Sequence, residues 1–135
     1  MDQEALVNDQ ILGGATLVDL LSRNLFPISA AFWLFTREAD QWFFYLASPL
    51  VDEKGSTECY KIVHRAIRSQ PGLGVGPFEV ELIGPDEPLA RAVSRLIEES
   101  GSPSATRIRR RYLGDVFIEQ AYIYPLVRPD AVASS

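Results

Sequence analysis

The residues best suited to chemistry in this sequence are cationic. Arg107-Ile108-Arg109-Arg110-Arg111 places four guanidinium groups in five positions. On a strand, alternate side chains share a face, so Arg107, Arg109 and Arg111 are expected to project together. Guanidinium groups in such a row grip phosphate or carboxylate through bidentate hydrogen bonds. Lys61, Arg65 and Arg68 follow an i, i+4, i+7 spacing and share one face of an expected helix, with His64 beside them. An anion site results if that helix face lies beside the arginine strand. The competing reading is ordinary pairing and solvation. With Tyr112 opposite Val116, Arg109 faces Glu119, a cross-strand pair worth less than ~1 kcal/mol. Glu79 and Glu81 can neutralise other arginines.

The charge distribution directs attention to the same region. Residues 54–111 hold ten basic and seven acidic side chains, whereas residues 1–53 hold two basic and eight acidic ones. The whole chain carries a net charge of −5. That excess argues against general nucleic-acid binding and against a coat for anionic membranes, but leaves room for a local basic patch that takes a phosphate-bearing ligand.

Other chemistries find weaker support. Cys59 and His64 stand five residues apart, about 140° around a helix, so they do not meet as a dyad. Cys59 reads as a small buried residue, and His64 as a surface ring one turn after Tyr60. Gly72-x-Gly74-x-Gly76 follows a helix and enters a strand, the reverse of a dinucleotide fingerprint, and reads as a linker. Glu79 with Glu81, and Asp52 with Glu53, are read as a wet strand face and as loop and cap residues. No GxSxG elbow surrounds any serine. One cysteine and one histidine rule out an intramolecular disulfide and a Cys-rich zinc site. No catalytic residue, metal or cofactor is therefore expected.

The second unusual feature is aromatic. Phe32, Trp33, Phe35, Trp42, Phe43, Phe44 and Tyr45 crowd two expected strands, residues 29–36 and 41–48, joined by the polar link 37–40. Both faces of both strands are apolar. Such a hairpin is either central in its sheet or lays one face against a partner. The second alternative makes Trp33, Phe35, Trp42, Phe43 and Phe44 candidate interface residues.

The remaining elements follow from periodicity. Residues 3–25 carry a helical apolar stripe interrupted by Gly13-Gly14, which requires either a close backbone contact or a break. Residues 48–55 are read as a loop, after which Ser56 is expected to cap a helix running to about Ser69. Residues 78–83 alternate as a strand. Asp86 is expected to cap a helix bearing Leu89, Ala92, Val93, Leu96 and Ile97 on its apolar face. Residues 107–112 and 116–124 form a second hairpin across Leu113-Gly114-Asp115. The expected fold is α+β in the order α-β-β-α-β-α-β-β. It has a mostly antiparallel sheet of about five strands and three helices, as one domain over residues 1–126 with a flexible tail at 127–135.

At 135 residues the chain needs no disulfide or metal to build a core. It shows no secretory signal and no stretch that would span a membrane, so a cytoplasmic location is expected. The function expected is a small non-enzymatic interaction module acting through self-association, as a dimer, or through another protein. The alternative is an anion- or nucleotide-binding domain that uses the arginine strand and the basic helix face. A small enzyme is disfavoured, because no nucleophile, base or metal set is spaced for work.

Overall fold

Two-residue periodicity in the aromatic region and 3.6-residue periodicity around it produce a layered α+β structure. The computed structural model describes residues 6–101 and 103–125. Helix α1 (Asn8–Arg23) leads into strands β1 (Ala30–Thr36) and β2 (Gln41–Ala47). A short helix α2 (Leu50–Lys54) and helix α3 (Ser56–Arg68) follow. A single 3-10 turn (Pro77–Glu79) opens strand β3 (Val80–Ile83), and helix α4 (Pro88–Ser100) leads to strands β4 (Thr106–Leu113) and β5 (Val116–Ile123). The sheet order is β3-β2-β1-β5-β4. Three of its neighbouring pairs are antiparallel, and β2 with β3 is parallel. The sheet is therefore mixed. The reason lies in the connection: β3 is reached through α2 and α3, and such a crossover returns the chain in the same direction.

Both sheet faces are covered, by different helices. On the first, Ala31, Trp33, Phe35, Trp42, Phe44 and Leu46 pack with Leu17 and Leu21 of α1 and with Cys59, Val63 and Ile67 of α3. On the second, Ala30, Phe32, Leu34, Ile108, Ala121 and Ile123 pack with Ala90 and Val93 of α4. This corrects the expectation of an apolar interface. Trp33, Phe35, Trp42 and Phe44 are core residues beneath α1 and α3. Of the five aromatic candidates only Phe43, on the opposite face of β2, is half-buried. The hairpin is apolar on both sides because it lies inside the sheet with a helix layer on either side.

The Gly13-Gly14 pair is resolved by close contact rather than by a break. A Cβ at Gly13 would run into the Leu73 carbonyl, and one at Gly14 into the Tyr124 hydroxyl. That hydroxyl donates to the Ile11 carbonyl at 2.7 Å and accepts from Trp33 Nε1 at 3.0 Å. The glycines let α1 come close enough for the sheet to hydrogen-bond its backbone. Burial pushes the Tyr124 phenol well above its ordinary pKa, more strongly than its hydrogen bond from Trp33 lowers it. The Trp42 indole N–H, also buried, has no acceptor among the described residues.

Element ends differ from expectation in instructive ways. Residues 50–54, read as loop, form α2. Gly55, with φ 87°, stands at the N-cap of α3 in place of Ser56, and Glu87 stands at the N-cap of α4 in place of Asp86. Phe78 lies in the 3-10 turn, 89% exposed, outside the alternation of Val80 and Leu82. Leu25 falls beyond α1 with φ 62° and is also exposed. The start of the first expected helix and the proposed tail at 127–135 lie outside the described residues. Among the described residues no helix is long and apolar enough to cross a membrane.

Candidate functional site

The β4–β5 hairpin carries the arginine row, and its register decides what the row does. The turn is the two-residue loop Gly114–Asp115, with Gly114 at φ 61° and Leu113 opposite Val116. Tyr112 therefore faces Phe117, and Arg109 faces Gln120. The one-residue difference from the expected register takes Glu119 away from Arg109. Glu119 instead pairs with Arg37 of the β1–β2 turn at 3.0 Å.

Arg110 then divides the row. Its φ is 47°, in the left-handed region, and the pairing passes from Arg109–Gln120 to Arg111–Ile118 without it. Strand alternation changes phase there. Ile108 and Ala121 belong to the core under α4, and beyond the break so do Leu113 and Ile118. Arg107 and Arg109 accordingly share the first face of the sheet. Arg111, which alternates with Leu113, turns to the second face beside α4. The three do not project together.

The basic helix face lies elsewhere. α3 packs on β3 and α1, and β3 is the sheet edge opposite β4. Lys61, Arg65 and Arg68 are exposed at that far edge, with Lys61 3.4 Å from Glu58. The six cations anticipated as one anion site are thus split into three groups. His64 contacts the Tyr60 ring with centroids 5.7 Å apart, and its Nε2 lies 3.2 Å from the Pro77 carbonyl. Cys59 is fully buried, and burial pushes its thiol up, so it is a poor nucleophile. Glu79 accepts a hydrogen bond from the Gly76 amide at 2.7 Å, which ties it to the 3-10 turn. Among the described residues no group of three His, Cys, Asp or Glu side chains could hold a metal ion.

On the first face, the β4–β5 end of the sheet stays open where α1 and α3 do not reach. Arg107, Arg109, Tyr112 and Phe117 are exposed there, and Tyr122 is half-buried. Arg107 lies over the Tyr122 ring, 4.9 Å from its centroid. Tyr112 and Phe117 meet edge to face with centroids 5.1 Å apart, 66% and 47% exposed. Among the described residues no carboxylate forms an ion pair with Arg107 or Arg109. The result is a surface of guanidinium groups beside aromatic rings. The aromatic part was missed in the sequence because Tyr112 and Phe117 become neighbours only through the hairpin register. Comparison with protein-family models, with curated proteins and with solved structures finds no match to this chain.

Proposed function

We propose that the chain is a non-enzymatic interaction module whose docking surface is the open end of the first sheet face, and that its partner is an acidic, aromatic-bearing segment of another protein. The observation that carries this reading is the exposed Tyr112–Phe117 pair beside Arg107 and Arg109, which lack carboxylate partners among the described residues. Exposed aromatic and arginine side chains are the types that dominate protein interfaces. Self-association in a two-fold dimer through this surface is disfavoured, because it brings two cationic patches face to face. Stacking of nucleic-acid bases is disfavoured as well. Tyr112 and Phe117 engage one another, and the Tyr122 ring already carries Arg107.

The test is fluorescence anisotropy with a labelled peptide of alternating Glu and Tyr, run at low and moderate ionic strength. Binding is expected to weaken with salt and to fall at least tenfold in the Arg107→Glu/Arg109→Glu double variant. Equal binding by that variant, or tighter binding of a labelled oligo-dT, would overturn the proposal.

A further inference from the structure

The same hairpin borders a groove on its other side. The groove lies between α4 and the β4–β5 turn and has a volume of about 310 Å³. Arg91 and Arg95, one turn apart on α4, line one wall, and Arg111 lines the other. Leu113 and Val116 contribute apolar surface between them. Glu99 and Asp115 border the groove, yet among the described residues neither forms an ion pair with the three arginines. Three guanidinium groups thus meet two carboxylates, and the cations are left in excess.

From this geometry we infer that the groove binds a small phosphate monoester with an apolar body. A carboxylate offers two oxygens and a single charge. A phosphate monoester offers three terminal oxygens and up to two charges, so guanidinium groups on opposite walls can engage it together. Leu113 and Val116 suit the apolar part of such a ligand. The left-handed turn at Arg110 makes the site, because a regular strand would place Arg111 on the first face with Arg109. Arg91 and Arg95 stand four positions apart, but nothing in the sequence sets them beside Arg111. Of the residues named for the docking surface, Tyr112 also lines this groove, whereas Arg107, Arg109, Phe117 and Tyr122 do not.

The probes are phenyl phosphate, inorganic phosphate and benzoate, titrated into the 15N-labelled protein and followed by amide shifts. Phenyl phosphate is expected to bind tightest and to move the amides of Leu96, Leu113 and Val116. Arg91→Gln/Arg111→Gln should lower its affinity at least about tenfold, given the strength of charge-assisted hydrogen bonds. Arg107→Glu/Arg109→Glu should leave those three amides responding to it. Both variants change exposed side chains, so each is expected to fold, and the amide spectrum itself reports whether it does. Tighter binding of benzoate would overturn the choice of phosphate. Shifts scattered over the surface, undiminished binding by Arg91→Gln/Arg111→Gln, or no shifts in the wild type would overturn the site.

Discussion

Among single residues, Tyr124 has the widest consequences. Its hydroxyl is the point where α1, β1 and the end of β5 are hydrogen-bonded together. Tyr124→Phe removes the donor to Ile11 and leaves the buried Trp33 N–H without its acceptor. The expected cost is about 1–3 kcal/mol, measured by urea unfolding. The same residue imposes a pH dependence. Its folded-state pKa is raised above the ordinary 10.0, so the folded protein keeps the proton longer than the unfolded chain does. Its contribution is fully present below pH 10 and is lost as pH rises towards the folded-state value. Burial shifts Tyr45 and Tyr60 in the same direction. Unfolding free energy should therefore fall as the pH rises above 10, and less steeply in Tyr124→Phe. An equal slope in both proteins would remove Tyr124 from the explanation.

At the scale of elements, two backbone features position the sites. In α1, Gly14→Ala should be destabilising although alanine is the better helix former by about 1 kcal/mol. The added methyl meets the Tyr124 hydroxyl and the Trp33 indole, and overpacking of that kind costs about 1–3 kcal/mol. A rise in the urea midpoint would show that the helix does not approach the sheet so closely. In β4, a non-glycine residue in the left-handed region costs about 1–2 kcal/mol. Arg110→Gly should therefore be neutral or stabilising, whereas Arg110→Val should be clearly destabilising, again by urea midpoint. Nothing in RIRRR announces that turn. Simple alternation reads Arg107, Arg109 and Arg111 as one row, and only the ladder shows the change of phase. Most of the elements were nevertheless legible, because each apolar face has the period of its own secondary structure. The five-residue α2 is too short for periodicity to reveal.

At the scale of the molecule, the sequence poses a question that the layers answer. Seven aromatic residues within fourteen positions suggested more apolar surface than one domain hides. Helices on both faces of the sheet hide nearly all of it, so apolar excess on β1 and β2 does not mark an interface. The surface left open is defined by where α1 and α3 stop, which depends on chain paths far apart in sequence. That is why Arg107 and Arg109 were legible as candidates while Tyr112 and Phe117 were not. The net charge of −5 fits this arrangement. An acidic molecule with a small cationic face presents that face to an acidic partner and repels it elsewhere.

The most direct test of the docking surface is an amide shift map of the 15N-labelled protein on titration with the Glu–Tyr peptide. The docking surface requires shifts concentrated at Arg107, Arg109, Tyr112, Phe117 and Tyr122, fading as salt is added. Shifts centred instead on Phe43 and Tyr45, on the exposed cations of α3, or nowhere at all would contradict it.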